Sequence, residues 1–105
     1  MQVSRDEVAR AFEAGDPDTL SRVLIGLAFH EPDWRWAQDR CLEALGHQSP
    51  VVRGLAATCL GHVARIHKRL ELERVRPRLL ALQDDPYAGG RARDALADIA
   101  RFLAT

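Results

Sequence analysis

The sequence predicts an all-α protein, a short α/α superhelix (α-solenoid) of about six antiparallel helices. Three observations predict it. Strand signals are nearly absent, with no Asn-Gly or Asp-Gly hairpin turn and no sustained alternation of β-branched residues. Helix starts carry cap residues, followed by proline at Asp16-Pro17 and again at Ser49-Pro50. The third observation is internal similarity. The run SPVVRGLAATCLGHVARI (49–66) lies over DPYAGGRARDALADIARF (85–102) without a gap, so that Pro50 meets Pro86, Ala56 Ala92, Leu60 Leu96, Ala64 Ala100 and Arg65 Arg101. The offset from Pro50 to Pro86 is 36 residues, the length of two helices with their turns. Two antiparallel helices cannot bury their apolar faces alone, so such units stack on one another.

The elements follow in order. Ser4 and Glu7 form a capping-box pattern before a short helix that Gly15 ends. Asp16 caps a second helix, with Pro17 at its first position, running to about residue 29 before His30-Glu31-Pro32 breaks the chain. A third helix over 33–45 puts Trp34, Ala37, Cys41, Leu42 and Leu45 on one stripe, and Gly46 stops it. Ser49-Pro50 opens a fourth helix that continues to about residue 67. A fifth spans 72–83 and contains Pro77, whose missing N–H places it at a kink or a first turn. Gly89-Gly90 reads as a turn before a sixth helix over 91–104. All 105 residues then make one domain of three helix pairs, at about 4–30, 33–67 and 71–104.

Fifteen basic residues balance fifteen acidic ones, so there is no overall field to hold a nucleic-acid backbone or an anionic membrane. Residues 1–20 are locally acidic and 65–78 locally basic, and the basic segment is the only place where nucleic acid could be held. No run approaches the ~20 apolar residues of a membrane span, and MQVSRDEVAR lacks a signal-peptide core, so a cytoplasmic protein is expected. Cys41 and Cys59 are too few for a disulfide framework and read as buried thiols.

At 100° per residue, Val51, Val52, Leu55, Ala56, Cys59, Leu60, Val63 and Ile66 fill one half of the fourth helix and are expected in the core. The other half holds Arg53, Gly54, Ala57, Thr58, Gly61, Ala64 and Arg65, mostly small side chains that let a neighbour approach. His62 and His67 are five residues apart, about 140° around the helix, and cannot share a metal from one face. Gly89-Gly90 lacks the Lys and Ser/Thr of a phosphate loop, and no hydrolase elbow or dinucleotide fingerprint occurs. The sequence therefore carries no catalytic, cofactor or metal residues, and a non-enzymatic protein-binding module is expected.

Ser49-Pro50, Val52-Arg53, Ala56, Leu60-Gly61 and Val63 resemble the second helix of a HEAT-type repeat, and Pro77 falls where the first helix of such repeats often kinks. The resemblance covers 32–103 best, and Gly89 and Ala97 depart from it where Arg53 and Gly61 stand, as in an atypical capping repeat. It implies a helical-repeat surface that binds a protein partner. WRWAQDRCLEAL followed by Leu60-Gly61-His62 is similar to small stand-alone bacterial HEAT-like proteins, among which immunity proteins of polymorphic toxin systems bind and block a toxin domain. The alternative implied is an accessory lyase- or hydroxylase-like HEAT protein that binds a chromophore or metal, as phycobilin lyases and the di-iron deoxyhypusine hydroxylases do. His30-Glu31 is one such His-Glu pair where that di-iron family needs several.

The expected partner contacts are Trp36, Arg40, Arg53, Arg65, Lys68 and Tyr87. Trp36 falls among Asp39, Arg40 and Glu43, about 200° from Trp34, and a large aromatic beside arginine is the usual composition of an interaction hot spot. Its other reading is that it folds over the 29–32 connection or stacks on Arg40 one turn away. The open ends of so short a stack also suit a homodimer. If Gly61 lies in a helix contact, Gly61→Leu lowers the thermal midpoint by several degrees, at about 4–8 °C per kcal/mol for a chain this size. An unchanged midpoint in differential scanning calorimetry places Gly61 in open solvent.

Overall fold

The computed structural model describes residues 3–103. Six helices follow one another: α1 (Arg5–Ala14), α2 (Pro17–His30), α3 (Trp34–Ala44), α4 (Pro50–His67), α5 (Leu72–Leu82) and α6 (Gly89–Phe102). Among the described residues there is no strand, and no helix is long and apolar enough to cross a membrane. Residue 104, expected in the last helix, lies outside the described residues.

Local chemistry starts and stops these helices. Ser4 Oγ accepts from the Glu7 N–H at 3.1 Å while the Ser4 N–H donates to Glu7 Oε1 at 3.1 Å, a complete capping box. Asp16 accepts from the Thr19 N–H at 2.9 Å, Asp33 from Trp36 at 3.2 Å and Ser49 from Val52 at 3.4 Å. Gly15, at φ 74°, closes α1 in the left-handed conformation that a side chain would strain.

Helix α4 holds the fold together, packing against α6, α2 and α3, while α1 packs on α2 and α5 on α6. The core it anchors takes Leu20, Leu24 and Leu27 from α2, Val52, Leu60 and Val63 from α4, Val75 and Leu79 from α5 and Ile99 from α6. The small-residue side of α4 is buried, as expected of a packing surface. An added Cβ at Gly61 would sit 3.4 Å from Asp98 Oδ2 and 3.7 Å from the Ala95 Cα, and one at Gly54 would press on the Arg91 side chain at 2.9 Å.

The expected apolar half of α4 needs correction. Val51 is 69% exposed and Ile66 is also exposed, whereas Ala57 and Ala64, assigned to the opposite half, are fully buried. Neighbours on three sides set the buried arc of this helix, so small residues are enclosed and a large one at the end of the arc is left out. Gly89-Gly90 also differs from expectation, because it forms the first turn of α6. A Cβ at Gly89 would collide with the Gln83 carbonyl oxygen, so glycine here permits close backbone approach. Pro77 lies inside α5, on its exposed side.

Polar staples join the elements. Arg53 donates through Nε to Asp85 Oδ2 at 3.1 Å and through Nη1 to the carbonyls of His47 and Gln48 at 3.0 and 2.8 Å. Asp85 Oδ1 accepts from the Tyr87 and Ala88 N–H groups, both at 2.8 Å, so this carboxylate fills at the turn into α6 the cap role that Ser49 fills for α4. Gln38 is fully buried, and its side chain donates to Glu71 Oε1 at 2.7 Å while accepting the Glu71 N–H at 2.6 Å, pinning the start of α5 to α3. Cys41 and Cys59 are free and buried. Contact with Cys59, and then burial, push the Cys41 thiol well above its ordinary pKa, which suits inert core thiols.

Four carboxyls hold protons less tightly in the fold than in the open chain. Asp16, Asp33 and Asp85 are lowered first by backbone N–H donors, and Glu71 first by Gln38. Their contribution to stability is present above the unfolded carboxylate range of about 4 and is lost as pH falls through their lower folded values. The urea midpoint should therefore fall between about pH 5 and pH 2, and Asp85→Asn should flatten that slope. An unaltered slope would mean that Asp85 is as easily protonated folded as unfolded.

Candidate interaction surfaces

Helices α2, α4 and α6 share one accessible face. Positions three and four residues apart lie on one side of a helix, and along α4 they give Val51, Leu55, Thr58, His62 and Arg65, none of them fully buried. Adding the 36-residue offset to these positions gives Tyr87, Arg91, Asp94, Asp98 and Arg101, which run from the turn before α6 along that helix. On the other flank α2 adds Ile25 and Phe29. Side chains bridge the helices: Phe29 stacks on His62 at 4.7 Å between centroids, the Arg65 guanidinium lies 5.9 Å from the Phe29 ring, and Arg91 donates to Thr58 Oγ1 at 3.2 Å. Ile25, Phe29, Val51 and Tyr87 are exposed, Tyr87 at 76%. Pro50, Val51, Tyr87 and Arg91 line a depression of about 220 Å³ above Gly54. An apolar strip edged with arginine, offering an aromatic at each end, is suited to burial against a protein.

His62 sits at the centre of this face. Its pKa lies below the ordinary value of 6.5, first because the imidazole is partly buried, then because Arg65 is beside it, with Asp98 opposing. The ring is therefore neutral at pH 7 and stacks on Phe29 without a charge to desolvate.

A second surface is the groove between α1 and α3, about 340 Å³ and lined by Arg5, Val8, Phe12, Trp36 and Arg40. The Trp36 ring has the Arg5 guanidinium 4.5 Å from its centroid and that of Arg40 at 5.7 Å. Trp36 has Arg40 beside it, as stacking on that residue requires, and the ring is half-buried against the core. Both arginines also have acidic neighbours, Asp33 at 3.1 Å from Arg5 and Glu43 at 3.4 Å from Arg40.

A third surface is the open groove of about 460 Å³ where α4 and α6 end and α3 and α5 begin, lined by Trp34, Lys68, Arg69, Leu70, Leu72 and Phe102. The Lys68 Nζ lies 4.5 Å from the Phe102 ring centroid.

The six expected contacts are thus distributed. Arg65 and Tyr87 share the α2–α4–α6 face, Trp36 and Arg40 lie in the α1–α3 groove, and Lys68 stands at the end groove. Arg53 is spent inside the fold, its side chain 20% exposed and ion-paired with Asp85 at 3.0 Å. The α2–α4–α6 face also carries Phe29, Val51, Leu55 and Arg91, which sequence reasoning did not place on a surface. Their signal was the regular spacing of Val51, Leu55, Thr58, His62 and Arg65, two of which were read as core. Among the described residues no group of three or more His, Cys, Asp or Glu is placed to hold a metal ion.

A proton NMR titration should place the His62 midpoint below 6.5, and Asp98→Asn should move it lower. The folded pKa is depressed, so stability is intact above about pH 6.5 and declines as pH falls towards the folded value. A His62 midpoint at or above 6.5 would mean that the ring is solvated and the Phe29 stack is open.

No family model and no curated protein matches the chain. Among solved structures, the fold matches a chain of the crystal structure of a CDI complex from Cupriavidus taiwanensis, with a TM-score of 0.85 and 30% identical residues over 97% of this chain and 92% of that one. The likeness runs through all six helices and is carried by residues as well as by backbone. This is a small all-helical chain with a structural neighbour that is part of a CDI complex.

Proposed function

We propose that the chain is an immunity protein, a non-enzymatic partner that binds the toxin domain of a bacterial contact-dependent inhibition system and keeps it inactive. The observation that carries this reading is the likeness, over nearly the whole of both chains and at 30% identity, to a chain of a CDI complex. The protein works by occupying the toxin with a rigid helical surface, and the α2–α4–α6 face, with Phe29, Val51, Arg65 and Tyr87 accessible on it, is the surface we assign. Rigidity matters because association costs side-chain and loop ordering, which a face fixed by a packed core avoids.

The architecture is read as a HEAT-like stack of three helix pairs. Its support is the recurrence of a cap residue followed by proline at Asp16-Pro17, Ser49-Pro50 and Asp85-Pro86, with spacings between the prolines of 33 and 36 residues. We place the protein in the cytoplasm, where two buried free thiols remain reduced.

The test is co-expression with the toxin domain of a contact-dependent inhibition system. A complex should survive size-exclusion chromatography and abolish toxicity, and Phe29→Ala with Tyr87→Ala should weaken it about 10–100-fold, at roughly 1 kcal/mol or more for each anchor. No complex at micromolar concentrations would refute the immunity reading. Full affinity in the double variant would move the interface elsewhere, and equal loss with Trp36→Ala would extend it to the α1–α3 groove. Light scattering of the isolated chain checks for the homodimer that would compete for the same surface.

A further inference from the structure

The groove at the end of α4 and α6 has a feature that packing alone does not require. Lys68, at φ 56° and ψ 31°, is the one non-glycine residue in the left-handed region among those described, and it occupies the helix C-cap where glycine is the usual residue. A lysine there carries backbone strain that glycine would avoid, and strain of this kind collects where a side chain has work to do. What the lysine provides is an ammonium group over the Phe102 ring at the lip of an apolar groove. Arg69 follows it on the same lip, and among the described residues neither side chain has an ion-pair partner. Glu71, between the lining residues Leu70 and Leu72 in the chain, is already bound by Gln38 and Arg74, with Arg35 at 3.8 Å. The groove thus offers two cations without an ion-pair partner among the described residues, above an apolar floor of Trp34, Leu70, Leu72 and Phe102.

We infer that this groove receives an acidic segment of the partner protein, which lays an aliphatic or aromatic side chain between Trp34 and Phe102 and sets a neighbouring carboxylate against Lys68 and Arg69. A volume of about 460 Å³ admits one large side chain with its flanking backbone. The groove adjoins the α2–α4–α6 face through Arg65 and Arg101, each within three residues of a lining residue, so one partner can cover both. The partner is the toxin domain, and the inference rests on the proposed function for that identity alone.

Two measurements separate the groove from the partner. The first uses the anionic aromatic probe 8-anilinonaphthalene-1-sulfonate with the folded chain. Lys68→Glu should weaken its binding about 10-fold or more, whereas Arg76→Glu, the same change of charge on exposed α5, should leave it unaltered. The second measures toxin-domain affinity by calorimetry. Lys68→Glu and Lys68→Gly should each weaken it about 10-fold, while Lys68→Gly keeps or raises the thermal midpoint because glycine relieves the positive φ. Probe binding insensitive to Lys68, or equal toxin affinity in all three proteins, overturns the inference. A dimer of the isolated chain that dissociates on Lys68→Glu also overturns it, by making a second copy the occupant. Toxin that does not bind the wild-type chain, with probe binding still dependent on Lys68, refutes the immunity reading and leaves the ligand chemistry of the groove supported.

Discussion

The close approach of α4 to its neighbours is the constraint on which the rest of the structure depends. A helix that touches three others cannot carry large side chains all round, and α4 meets the requirement with Gly54, Ala57, Gly61 and Ala64 on sides that Val52, Leu60 and Val63 do not fill. Interiors pack at near-crystalline density, so each glycine is matched to what faces it: Asp98 and Ala95 at Gly61, Arg91 at Gly54. Once α4 and α6 are fixed at this distance, the residues left on the outer side of both helices form one continuous face. The accessible surface is therefore a consequence of the core, and its matched spacing on the two helices follows the 36-residue offset between them.

The polar staples act at the points where hydrophobic packing does not specify geometry. A loop between helices has little apolar surface, and its orientation is set by hydrogen bonds. Arg53 ties the start of α4 to the turn before α6, and Gln38 ties α3 to the first turn of α5. Both staples are enclosed enough that their groups would be costly to leave unpaired. They also explain why charge at the surface is unevenly available. Arg53 and Asp85 are paired inside the fold and Arg74 is paired at the surface with Asp39 and Glu71, while Lys68, Arg69 and Arg91 have no ion-pair partner among the described residues.

Under the proposed reading, a partner that acts by occupation needs a surface that keeps its shape, and here the face is laid on helices of one packed core. The Phe29–His62 stack illustrates how. Burial and the Arg65 charge keep the imidazole neutral, so the ring packs as an aromatic side chain and closes the seam between α2 and α4. The resemblance to a chain of a CDI complex gives such a surface its occasion. The mixed charge of the chain favours a partner recognised by local pairing over one drawn in by a long-range field.

Much of the architecture was legible in the chain itself. Ser4 with Glu7, Asp16-Pro17 and Ser49-Pro50 announce helix starts because capping is an interaction between neighbours in sequence, and each of these side chains makes the expected bond. The small residues of α4 likewise signalled a packed side. What the chain could not display was which neighbours each side would meet. Val51 is apolar and correctly spaced for a core, yet it lies beyond the buried arc, and Arg53, charged and placed for a partner, is drawn inward by Asp85, 32 residues away. Gly89-Gly90 has turn composition but forms helix, because the approach of Gln83 is a contact made only in three dimensions. Periodicity and caps depend on local geometry and can be read from order alone. Burial and pairing depend on the other helices, and only the tertiary structure decides them.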